Sequence, residues 1–128
     1  MKGSFGFEHV LGLQQEERAV GRDFMLARRV GEVRYGKYFL FYRGMGKWMY
    51  IGYEDIVWAY RHLEAIPGRR GKETGMEMHF LMLVTKEKKR IGVPIGEEEN
   101  ALAGIAMIQK HNRFVDIGFS KEKEEKYL

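Results

Sequence analysis

The chain has 128 residues, 45% of them hydrophobic and 13% aromatic, with two prolines, which suits a single folded domain with one core rather than a linker-like or disordered chain. It has no cysteine, so disulfides, cysteine zinc sites and thiol catalysis are excluded. Its 22 basic and 18 acidic residues leave a formal charge of +4, with acids mixed in along the chain rather than one concentrated basic face.

The first nine residues lack the apolar run of a signal peptide. The longest apolar runs, such as residues 80–84, fall far below the roughly 18 residues needed to span a bilayer. The expectation is a cytoplasmic protein with no transmembrane segment.

In chain order, residues 13–26 predict a helix, because Leu13, Glu16, Glu17, Val20 and Phe24 recur at helical spacing. A strand is expected within 25–33. Residues 37–43 and 47–52 alternate with period two around Gly44, Met45 and Gly46, which predicts a hairpin with Tyr42 opposite Trp48 and Leu40 opposite Tyr50. Tyr53, Glu54 and Asp55 form a polar break. Residues 56–63 and 78–84 predict two strands joined by a long tip at 66–75, and 90–95 predict a third after a charged turn. Centring that turn near Glu87 sets Val84 against Ile91, Met82 against Val93 and Phe80 against Ile95, an apolar core face. Residues 97–112 predict a helix that opens on three glutamates, with Ala101, Leu102, Ile105 and Ile108 turned inward. Gly104 in its middle suggests close approach to the sheet. A last short strand within 114–119 and a helical turn or two after Ser120 complete the chain.

Hairpinned strands closed by one C-terminal helix resemble the pleckstrin-homology-like (PH-like) fold, in particular an uncharacterised bacterial PH-like family. The residues that carry the likeness are Tyr50, Ile51, Gly52, Tyr53, Glu54, Asp55, Ile56, Val57, Trp58, Ala59 and Tyr60, then Leu83, Val84, Thr85 and Lys86, then the helix from Glu97. The resemblance covers about residues 30–119. It implies an α+β, mainly β fold: a bent antiparallel sheet or partly open barrel plugged by the helix at about 97–112. It also implies a scaffold that binds phosphoinositides, peptides or its own subunits, with no shared chemistry. Residues 1–29, including the N-terminal helix, form an extension that packs on the sheet or on a neighbour.

Four groups of residues are weighed as sites. Arg69, Arg70 and Lys72 form a basic hairpin tip that suits phosphate or another anion, against the plain reading of a solvated loop. A symmetric tip sets His62 opposite His79, but with no third ligand in view no metal site is expected. The same symmetry sends Trp58, Tyr60, Leu81 and Leu83 to a second apolar face, to be covered by residues 1–29 or by another subunit. Glu97, Glu98 and Glu99 point apart on a helix and His111 has no nucleophile placed beside it, so no catalytic residue and no cofactor is expected. The functional expectation is a non-enzymatic binding or assembly module acting through a protein partner or self-association. The alternative is a binder of nucleic acid or anionic lipid through the basic loops at Arg69, Arg70 and Lys72 and at Lys86, Lys88, Lys89 and Arg90.

Overall fold

The period-two runs become strands, and the strands sort into two sheets in the computed structural model, which describes residues 6–44, 46–66 and 76–128. The order is β1 (Phe7–His9), α1 (Glu17–Leu26), β2 (Arg28–Val30), β3 (Val33–Tyr35), β4 (Phe39–Gly44) and β5 (Lys47–Gly52). A 3-10 turn (Tyr53–Asp55) leads to β6 (Ile56–Ile66), β7 (Met76–Thr85), β8 (Arg90–Gly96), α2 (Glu98–His111), β9 (Asp116–Ile117) and α3 (Lys121–Tyr127). The first sheet runs β1-β5-β4-β3-β2 and the second β8-β7-β6-β9. The fold is α+β and mainly β. The hairpins are antiparallel, but β1 joins β5 and β9 joins β6 in parallel, so both sheets are mixed and neither closes into a barrel.

All three hairpin registers differ by one residue from the symmetric ones expected, and the turns explain two of them. Gly44 pairs with Lys47, so the first loop has two central residues rather than three, with Gly46 at φ +80. Tyr42 therefore faces Met49, and Leu40 faces Ile51. In the charged turn, the Thr85 hydroxyl accepts from the amides of Glu87 and Lys89, and Lys88 takes a left-handed φ of 65. That geometry pairs Val84 with Arg90, Leu83 with Ile91 and Leu81 with Val93. Because side chains alternate, the slip exchanges the faces of β7. Leu81 and Leu83 belong to the core face with Ile91 and Val93, while Met82 and Val84 lie on the other face with Trp58 and Tyr60. Between β6 and β7, His62 pairs with Phe80 and His79 with Leu63, so the two histidines point to opposite faces and share no site.

The shared core lies between the sheets. Val33, Leu40 and Ile51 meet Ala59, Leu81, Leu83 and Val93, with Ala101 and Ile108 of α2 packed against them. The buried stripe of α2 is Ala101, Gly104 and Ile108; Leu102, expected inside, is 53% exposed. Gly104 is where the helix comes closest: a Cβ there would sit 2.2 Å from the Tyr35 hydroxyl and 3.1 Å from Leu81 Cδ2. The outer faces are covered too. Val20 and Phe24 of α1 close over Phe41 and Tyr50, and Tyr127 of α3 closes over Trp58.

Tyr35 is buried, and its hydroxyl has no hydrogen-bond partner among the described residues. Gly104→Ala should therefore destabilise the fold by about 1–3 kcal/mol through overpacking, despite the roughly 1 kcal/mol gained in helix propensity. Tyr35→Phe should leave stability unchanged or raise it by about 1 kcal/mol, and should relieve part of the Gly104→Ala cost when the two are combined. Urea unfolding of the two single variants and the double variant measures both effects; a stabilising Gly104→Ala contradicts the packing described.

Candidate functional site

A polar cluster lies at the joint between the sheets, where the 3-10 turn at Tyr53–Asp55 turns the chain from β5 into β6. Asp55 is buried and binds Lys86 at 2.6 Å, and its other oxygen lies 3.8 Å from His9 Nε2. The Asp55 bond holds the Lys86 ammonium above its ordinary pKa. His9 is only 3% exposed, and its Nδ1 accepts from the amides of Leu11 (3.0 Å) and Leu13 (3.3 Å). An imidazole that accepts at Nδ1 carries its proton on Nε2, facing Asp55. Nearby, buried Asp23 reaches from α1 to accept from the backbone amides of Lys37, Tyr38 and Phe39 at 2.7–3.1 Å. Gly36 makes room for that carboxylate, since a Cβ there would lie 2.1 Å from Asp23 Oδ2. Tyr53 donates to the Gly36 carbonyl and stacks on His111, and Asn112 donates to the carbonyls of Tyr53 and Ile56.

A cleft of about 570 Å³ opens beside this cluster, lined in part by Glu16, Lys37, Tyr38, Asp55 and His111. An Asp–His pair facing a cleft suggests acid–base chemistry, but the second imidazole nitrogen of His9 is taken by two backbone amides and cannot reach a substrate proton. No serine, threonine or cysteine is among the described residues that line the cleft. The cluster's bonds hold loops, helix end and turn together. No sequence signal links His9, Asp23 and Asp55, because only the fold brings them near one another.

The expected site residues fall in three places. Arg69, Arg70 and Lys72 lie outside the described residues. Trp58, Tyr60, Leu81 and Leu83 are buried within the chain itself, at 0%, 4%, 0% and 0% exposure, so they do not form one open face. Leu81 and Leu83 lie in the shared core with α2, while Trp58 donates to the Gly118 carbonyl and lies under Phe119 and Tyr127. The cover of that outer face comes from the C-terminal segment, and residues of α1 cover the other sheet. In the second basic loop, Lys86 is held by Asp55, Lys89 donates to the Val10 carbonyl, and Arg90 reaches the Tyr60 hydroxyl and Glu124.

The feature that sequence reasoning missed is the outer half of the β6–β7 hairpin. β9 pairs only with Trp58 and Ala59, and the Gly118 amide donates to the Ala59 carbonyl. In a strand, alternate residues turn their backbone groups to the same side. Arg61, Leu63 and Ala65 therefore present N–H and C=O on the side of Ala59, where β9 no longer reaches, and nothing among the described residues pairs with them there. Their side chains are exposed, Leu63 at 49%. Beside this edge runs an open groove of about 660 Å³, lined by His62, Phe80, Met82 and the 54%-exposed Phe119 among others. The other described edges are blunted. β1 and β2 have three residues each, β2 carries exposed Arg28 and Arg29, and Pro94 in β8 removes an outward donor.

Residues 14–127 match the model of a domain family described as a domain of unknown function, DUF6709. The chain belongs to that family. No curated protein and no solved structure matches it. The DUF6709 match contains the β6 edge, Asp55, Lys86 and all three helices, while His9 and β1 lie before it. Among the described residues of this DUF6709 chain, no helix is long and apolar enough to cross a membrane.

Burial holds the pKa of His9 below its usual 6.5, and burial with Lys110 does the same for His111. The native state then binds fewer protons than the unfolded chain as pH drops through that value. Stability should be intact above pH 6.5 and decline as pH falls below it toward the lowered folded values. Thermal melts from pH 8 to pH 5 test this: His9→Gln should flatten the slope. An unchanged slope would contradict the placement of His9 as a buried neutral ring.

Proposed function

We propose that this domain is a non-enzymatic binding or assembly module of PH-like design that acts through protein–protein association, including self-association. The observation that carries the reading is the unpaired edge of β6 at Arg61, Leu63 and Ala65, set beside an open, partly apolar groove. An extended segment added there would gain backbone hydrogen bonds from the edge and a seat for alternate side chains in the groove. The PH-like reading draws on the hairpin order β2 to β8 followed by α2 packed on the shared core. We read the polar cluster at the joint as structural, because Asp23, the Asp55–Lys86 pair and His9 Nδ1 are engaged within the chain.

Leu63→Pro makes a selective probe, since its N–H points away from β7 and its loss spares the hairpin ladder. An amide-detected titration with an alternating Leu/Thr heptapeptide should shift residues 61–65 in the unsubstituted protein and leave 61, 62, 64 and 65 unmoved in Leu63→Pro. Shifts confined to other surfaces contradict the reading. Binding of a single-stranded oligonucleotide that weakens steeply with salt would favour the basic-loop alternative instead.

A further inference from the structure

The β6 edge is complementary to itself. We propose that the strand it takes is β6 of a second copy, paired antiparallel about a two-fold axis at Leu63; this rests on the reading above that the edge is a protein-binding surface. Residues that turn their backbone groups outward must face residues that do the same, which restricts the register to pairs among Arg61, Leu63 and Ala65. Centring on Leu63 sets Leu63 against its own mate and Arg61 against Ala65 of the other copy, and it forms about six backbone hydrogen bonds. It also places His62 opposite Glu64 of the other copy, twice by symmetry, at the closely spaced non-hydrogen-bonded positions. There an imidazole N–H meets a carboxylate. Within one chain His62 faces the Phe80 ring and no ion pair involves Glu64, so both are available for that contact among the described residues.

Other registers fit less well. An axis at His62 or Glu64 makes only about four backbone hydrogen bonds and sets His62 or Glu64 against its own mate, while an axis at Arg61 runs into β9 and one at Ala65 runs past the end of β6; each loses the His62–Glu64 pairing. The chosen register stays clear of β9, which occupies the edge at Trp58 and Ala59, and within β6, which ends at Ile66. Arg61 keeps its bond to Glu98 of α2, which points its charge away from the new ladder. An isologous pairing of this kind closes as a dimer and uses up the open β6 edge of both copies.

The cysteine-free sequence allows a direct test with single cysteines. Residues 61, 63 and 65 lie on one face of β6 and are all exposed, so differences among them report register rather than access. Leu63 and its mate would lie about 5.5 Å apart at Cα, within disulfide reach, whereas the two copies of residue 61 would lie about 13 Å apart. On mild oxidation, Leu63→Cys should give at least about fivefold more covalent dimer than Arg61→Cys or Ala65→Cys alone, because only the first pair is within bonding distance. Mixing Arg61→Cys with Ala65→Cys should restore the crosslink. Sedimentation equilibrium of the unsubstituted chain should show a monomer–dimer equilibrium that Leu63→Pro removes. Equal crosslinking by all three cysteines, or a chain that stays monomeric, overturns self-pairing. If a monomeric chain still binds the heptapeptide at residues 61–65, the edge remains a protein-binding surface and only the second copy is ruled out. If both are absent, both readings fall.

Discussion

Both sheets carry large side chains on both faces, and such a sheet has to be covered twice. This constraint accounts for the placement of all three helices. The inner faces meet each other and α2, burying Leu40, Ile51, Leu81, Leu83 and Ile108. The outer face of the first sheet, with Phe41 and Tyr50, takes α1; that of the second, with Trp58 and Tyr60, takes the segment from Phe119 to Tyr127. The cover stops before the sheet does. Residues 61–65 of β6 run past β9, and there the second sheet is exposed both at its edge and on its groove side.

Two covered sheets must still be held at one angle, and the polar cluster does that work. Asp23 ties α1 to the turn before β4, Asp55 ties the joint to Lys86, and Asn112 ties the end of α2 to both sides of the joint. Each of these groups is satisfied by backbone or by a charge, which is the condition for burying it at tolerable cost. His9 is held in the same way: its Nδ1 accepts from the amides of Leu11 and Leu13, so that nitrogen has no lone pair left for a proton. The joint is tied together by these bonds, whereas β6 at residues 61–65 is left with an unpaired edge.

Much of the architecture was legible in the sequence because local period dictates it. The strands of the three hairpins, the helices near 13–26 and 97–112, the short strand within 114–119 and the Ser120 start of α3 all follow from spacing and caps; the Ser120 hydroxyl indeed accepts from the Lys123 amide. Registers were not legible. Thr85 and Lys88 shape a turn whose centre no count of apolar residues reveals, and one residue of slip moved Leu81 and Leu83 from the outer face to the core. The parallel pairing of β1 and β9 was also out of reach, since two or three residues carry too little pattern to announce a long-range partner. The candidate edge shares that fate. It is defined by where β9 stops, a property of the assembled sheet and not of any motif.

Beyond Ala59, β6 is paired on one side only among the described residues. Residue-resolved amide hydrogen exchange on dilute protein addresses it directly. Alternation is expected: the amides of Arg61, Leu63 and Ala65 should exchange fast, while those of His62 and Glu64, bonded to β7, should exchange slowly. Uniform protection from residue 61 to 65 under conditions where the chain is monomeric would mean that the edge is already occupied and that no open β6 edge exists.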